Sequence, residues 1–139
     1  MTKEKHFELS DSSFEKQFLN CQLDSADFTH VAHLRLAWIN IDRYGIQKAE
    51  KKIVAGLKKF VEFAGEKNKF NMTLTLAAMR AVYNFKLQSK SDNFNEFILE
   101  FPRLETHFKD LIACHYGFDI YNSARAKKEF LEPDLLAFD

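Results

Sequence analysis

A chain of 139 residues is long enough for one domain with a real core and short for two. Its 20 basic and 20 acidic residues cancel, which argues against a dedicated nucleic-acid binder, whose affinity rests on neutralising phosphates. Phe supplies 15 residues against only four Gly and two Pro, so the sequence predicts a ring-built helical core with short connections rather than a many-stranded β protein. Cys21 and Cys114 form neither a disulfide framework nor a C-x-x-C pair. The opening MTKEKHFELSDSS lacks the apolar run of a signal peptide. No stretch approaches the roughly 20 apolar residues that cross a bilayer. The expectation is a soluble, reduced, cytoplasmic protein without a membrane partner. Residues 1–9, with His6 among them, are expected to be disordered.

A first helix is expected over 10–22, with Ser10, Asp11 and Ser12 as candidate caps. Ser12 and Glu15 have capping-box spacing, and Phe14, Phe18 and Cys21 share a face. The next helix is expected from about 28 to 44, capped by Asp27 or Thr29 and stopped by Gly45. At ~100° per residue, Arg35, Asp42 and Arg43 fall on one side. His30, His33, Leu34, Ala37, Ile41 and Tyr44 fall on the other, with Trp38 at its edge.

Over 46–64, Ile46, Ala49, Ile53, Leu57, Phe60 and Ala64 recur at three and four. Lys48, Lys51, Lys52 and Lys59 take the opposite face, with Lys58 nearby. That stripe reads as a solvated face, with no interleaved aromatics to stack bases. Residues 71–88 are apolar almost all round, which places this helix near the centre of a bundle. Arg80 within it needs either an edge or a buried partner. Asp92 is the expected cap of a stripe at Phe94, Phe97, Ile98 and Phe101, and Pro102 starts or kinks the helix that follows. Ser123 caps a last short helix, and the tail DLLAFD is apolar enough to pack. The fold expectation is all-α: one bundle of about five or six helices over residues 1–139, with 71–88 as its buried central helix.

His30 and His33 are the strongest chemical hint. Two histidines three apart on an inward face need partners for four ring nitrogens. The alternatives are a metal, a small-molecule ligand, or hydrogen bonds to neighbouring helices. A metal site normally needs three or four ligands, and neither H-E-x-x-H nor a glutamate-x-x-histidine signature occurs. His107 and His115 add little. Cys114 in its apolar helix reads as inert, and no glycine-rich phosphate loop occurs.

Three segments, in order, resemble the motifs of a family of small helical, mostly bacterial proteins of uncharacterised function. FTHVAHLRLAW (28–38) resembles F-x-H-x-x-H-L-R-x-A-W. KFNMTLT (69–75) resembles K-Y-H-E-T-x-T at a helix start. FPRLETHFKDLIACHYG (101–117) with NSARAKKEFLEPDLLAF (122–138) resembles a closing pattern of P-x-L, a tyrosine-bearing helix end, S-x-x-A-R and F-x-x-P-D-L. The family pattern has histidine where Asn71 stands and glutamate where Met72 stands. The resemblance therefore implies a shared pocket while disfavouring a transition metal here, since Asn71 is a poor ligand and Met72 cannot ionise.

The leading functional expectation is a small-molecule-binding or enzyme-like domain, with a pocket between the His30–His33 helix and the helix start at Asn71. The histidines, Asn71 and Thr75 would supply polar contacts, and Trp38 and Tyr44 apolar walls. The competing expectation is a non-catalytic interaction domain with structural histidines. Nucleic-acid association through the lysine stripe is the weakest of the three.

Overall fold

The structure, a computed structural model, describes residues 4–138. Among them the chain is all-α, with eight α-helices, three 3₁₀ turns and no strand. The helices are α1 (Asp11–Leu19), α2 (His30–Tyr44), α3 (Ile46–Phe63), α4 (Met72–Gln88), α5 (Phe94–Glu100), α6 (Arg103–Thr106), α7 (Phe108–Ala113) and α8 (Ala124–Lys128). They gather into two compact units, Met1–Phe70 and Asn71–Asp139. None of the described helices is long and apolar enough to cross a membrane.

Local chemistry sets most boundaries. Ser10 caps α1, its Oγ accepting from Ser13 N at 3.2 Å. The expected Ser12–Glu15 box does not form, because Glu15 is buried and its carboxylate takes the guanidinium of Arg43. Thr29 caps α2 by accepting from Ala32 N at 3.2 Å. Gly45, at φ 78°, ends α2 and begins α3 in one residue, a reversal that only a left-handed backbone allows. Gly65, at φ 74°, follows the end of α3.

In the first unit α2 packs along α3, and both meet α1. The α3 stripe of Ala49, Ile53, Leu57 and Phe60 is buried, as its periodicity requires. Phe18, Phe28 and Phe60 form a ring cluster with centroids 5.0 to 5.6 Å apart. α1 reaches α3 at Gly56, where a Cβ would come within 2.6 Å of Phe18 Cε2. Cys21 does not extend the α1 stripe, since it lies past the helix end, half-buried, at φ 56°.

The all-round buried helix is α2, not the one at 71–88. From Val31 to Ile41 every residue except His33 is buried. On α4, Thr73, Ala77, Met79, Ala81 and Val82 are buried, while Leu74, Leu76, Ala78, Tyr83 and Phe85 keep partial exposure. α4 packs against α8 over a core of Ala77, Ala81, Ile112, Tyr116, Ile120, Ala126 and Phe138. Asn93 rather than Asp92 caps α5, accepting from Glu96 N at 2.9 Å. The stretch 94–113 breaks into three short helices, the first break at Phe101–Pro102 and the second at His107, whose φ is −134°.

The expected disorder of residues 1–9 is corrected over 4–9. Lys5–Glu8 forms a 3₁₀ turn, and His6 is 1 % exposed. Residues 1–3 lie outside the described residues.

Candidate functional site

The structure places His30 and His33 on the first turn of α2, and both are exposed. The inward assignment is therefore corrected. It rested on Arg35 marking the solvent side, yet a helix buried all round has no such side, and the histidines lie where α2 emerges. His33 is held in one orientation. Its Nδ1 pairs with the Thr29 carbonyl at 2.8 Å, and its ring lies face to face on Phe28, 3.8 Å between centroids. The covered ring face loses water, which lowers the His33 pKa, and His30 adds a smaller push in the same direction.

Within the same unit, Trp38 and Tyr44 lie further along α2. Trp38 is buried two turns further along. Tyr44 lies at the far end of α2, about 21 Å from His30 along the axis at 1.5 Å per residue. Its ring carries Lys52 Nζ at 4.6 Å and Lys48 Nζ at 5.7 Å. Tyr44, Gly45, Ile46, Gln47, Lys48 and Lys51 border a shallow open depression. Asn71 is buried and fully engaged: Oδ1 accepts from Leu74 N at 3.0 Å, and Nδ2 donates to the Ile120 carbonyl at 2.8 Å. Thr75 is half-buried on the first turn of α4. Among the described residues no group of three or more His, Cys, Asp or Glu side chains could hold a metal ion.

The sequence reading missed the most elaborate polar cluster. Arg35, 5 % exposed, gathers the N-terminal segment. Its Nη1 donates to the His6 carbonyl at 2.5 Å, and Nη2 donates to the Leu9 carbonyl at 2.7 Å and to Asp11 Oδ1 at 2.9 Å. Nε reaches the same Asp11 oxygen at 3.2 Å. The guanidinium also lies 4.7 Å from the centre of the Phe14 ring and 5.8 Å from that of Phe7. Glu4 accepts from the Thr29 hydroxyl and lies 2.9 Å from His6 Nε2. The available signal was an arginine inside the apolar run VAHLRLAW. Like Arg80, an arginine there needs an edge or a buried partner. Arg80 itself sits 4.4 Å from the centre of the Phe130 ring.

A second arrangement surrounds the C-terminus. Leu135 N donates to the His115 carbonyl at 3.0 Å, and His115 Nδ1 pairs with the Leu136 carbonyl at 2.7 Å. Gly117 N donates to Asp134 Oδ1 at 2.7 Å. Asn84 Nδ2 donates to the carbonyl of Phe138, whose buried ring stacks on His115 at 4.0 Å. The Tyr116 hydroxyl donates to the Leu131 carbonyl at 2.7 Å, and burial pushes its pKa up to about 12, so it stays protonated. The segment is thus pinned, as its apolar sequence suggested. Even so, Leu135 and Leu136 remain 62 % and 57 % exposed, with Phe118 at 41 %. The Leu135 methyls lie where a side chain on Gly117 would stand, 3.4 Å away.

No family model, curated protein or solved structure matches this chain.

Proposed function

We propose that this chain is a non-catalytic protein-interaction domain, with the C-terminal clasp as its contact surface. The carrying observation is that Leu135 and Leu136 face solvent on a backbone pinned by His115, Gly117 and the buried Phe138. Exposed apolar side chains clustered on one turn mark a contact surface more often than single ones do. Pinning removes much of the ordering entropy that a partner would otherwise meet. Elsewhere three buried polar side chains answer internal needs: Arg35, Asn71 and Thr73 all reach backbone atoms of this chain. Such groups hold a fold rather than turn over a substrate.

The test is a photo-crosslinking residue at position 135, with a matched one at exposed Lys51 as control. Discrete adducts are expected at 135, absent at 51 and lost when Leu136→Asp is added. Sedimentation velocity of the same proteins separates a second copy from a different partner. Equal labelling at both positions, or labelling indifferent to Leu136→Asp, rejects the reading.

A second reading keeps the histidine pair as a ligand site, now at the surface. It is favoured by the fixed His33 ring, whose engaged Nδ1 leaves Nε2 as the nitrogen for a ligand. Zinc titration followed on the imidazole resonances of His30 and His33 checks it. Unchanged resonances at saturating zinc dismiss it.

A further inference from the structure

We propose that His6 is the pin of a proton-operated latch: as a neutral imidazole it holds residues 4–9 against α2, and protonation releases that strap. The geometry allows one neutral form. A guanidinium can only donate, so the His6 Nδ1 that lies 3.3 Å from Arg35 Nη1 must be the acceptor. The ring proton then sits on Nε2, which donates to Glu4 Oε1 at 2.9 Å. A second proton has only Nδ1 to occupy, where it would point at the N–H of a permanent cation.

Arg35 cannot readily turn away. The same Nη1 donates to the His6 carbonyl, and Nη2 divides between Leu9 O and Asp11 Oδ1. One guanidinium thus holds both the backbone of the strap and its imidazole. Displacing it gives up the two strap carbonyls together, so imidazole protonation and strap release are coupled.

Four charged groups surround the ring or its partner. Glu4 from the strap and Asp27 from the Ser25–Asp27 turn favour the imidazolium. Arg35 from α2 opposes it, and Asp11 at the start of α1 acts through Arg35. Burial is the largest influence and, with Arg35, it outweighs the carboxylates, so the docked His6 titrates below its ordinary 6.5. The docked strap therefore binds fewer protons than the released one. Docking is at full strength above 6.5 and weakens as pH falls toward the docked pKa. Release bares the Arg35 guanidinium, two of whose donors lose their carbonyl acceptors.

The test uses the full chain. Long-range ¹H–¹⁵N spectra follow the His6 imidazole, and hydrogen exchange follows the Leu9 amide, which donates to the His6 carbonyl at 3.1 Å. At about pH 7.5 the Nε2–H tautomer is expected, with a titration midpoint below that of a free histidine. Between about pH 7.5 and 5, Leu9 protection, corrected for intrinsic exchange, should fall. The fall should be about tenfold for each pH unit that separates the docked His6 midpoint from the free one. Amides in the middle of α3 should hold. In His6→Gln, which keeps a donor and an acceptor but does not titrate here, the fall should disappear. A His6 midpoint at or above the free value overturns the latch. So does Leu9 protection that is flat through the titration, or an unchanged pH response in His6→Gln. Should the Gln variant fail to dock, the wild-type midpoint and protection decide by themselves.

Discussion

The two units solve the same problem by different means. In Met1–Phe70, two long helices satisfy their own backbones, and a ring cluster with a continuous α3 stripe fills the space between elements. Its buried charges are both paired: Arg35 takes the Leu9 carbonyl and joins Leu9 N on the His6 carbonyl, and the Glu15 carboxylate takes Arg43. In Asn71–Asp139 one long helix is followed by short helices and extended chain. Irregular backbone leaves carbonyls and amides to be met, and side chains meet them, most of them neutral. Asn71 serves Ile120, Thr73 serves Glu129 and Leu131, Tyr116 serves Leu131, and His115 serves Leu136. In the first unit the polar demand falls on the buried charges of Arg35 and Glu15, whereas irregular chain spreads it over many side chains, most of them neutral.

That contrast predicts unequal losses. Arg35→Met should be the most damaging substitution, because it takes the Arg35 donor from the Leu9 carbonyl, one of two donors from the His6 carbonyl, and the partner from Asp11. Each charge-assisted hydrogen bond lost to a backbone carbonyl costs about 1.5–3 kcal/mol, to be read from urea denaturation. A loss no larger than that of a neutral clasp would erase the distinction between the units. Asn71→Ala removes a helix cap, about 1 kcal/mol, and orphans the buried Ile120 carbonyl, about 1–3 kcal/mol. A total of about 2–4 kcal/mol is expected, with hydrogen exchange raised first around Ile120. Gly56→Ala tests packing rather than polarity. Its methyl would meet Phe18 at 2.6 Å, an overpacking cost of about 1–3 kcal/mol against a gain in helix propensity of about 1 kcal/mol. A net loss of about 1 kcal/mol should appear in the melting curve, and Gly56→Ala/Phe18→Leu should recover it.

The sequence was most legible where the physics is local. Thr29, Gly45, Gly65 and Ser123 sit where caps and stops were expected, because each acts within four residues of itself. The α3 stripe followed for the same reason. What failed was facing. The wheel for α2 took Arg35 as a solvent marker, but its acceptors lie 24 to 29 residues upstream, a separation that no periodicity reports. The same distant contacts order residues 4–9, whose polar composition reads as a tail. His107 broke a helix without a proline or glycine to announce it, and its side chain instead pairs with the Thr106 hydroxyl. The candidate pocket drew on residues from both units and from both ends of α2.

The smallest effect expected is also the one that bears most directly on the histidines. If His30 and His33 faced a core, replacing both with alanine would open a cavity and cost several kcal/mol. On the exposed first turn of α2 the double substitution removes the Phe28 stack and a bond to the Thr29 carbonyl, which still accepts from His33 N at 2.9 Å through the backbone. Alanine adds helix propensity in return. The net change in unfolding free energy should stay within about 0.5 kcal/mol, as for surface sites generally, when measured by urea denaturation near pH 7.5. Below pH 6.5 the two proteins should diverge slightly. Wild-type His33 has a lowered pKa, so its folded form takes up protons later than its unfolded form, and the wild type loses a little stability that the alanine variant keeps. A large loss at neutral pH would return the pair to the interior. A small one whose pH dependence shifts in this direction leaves them as surface groups that do not hold the fold.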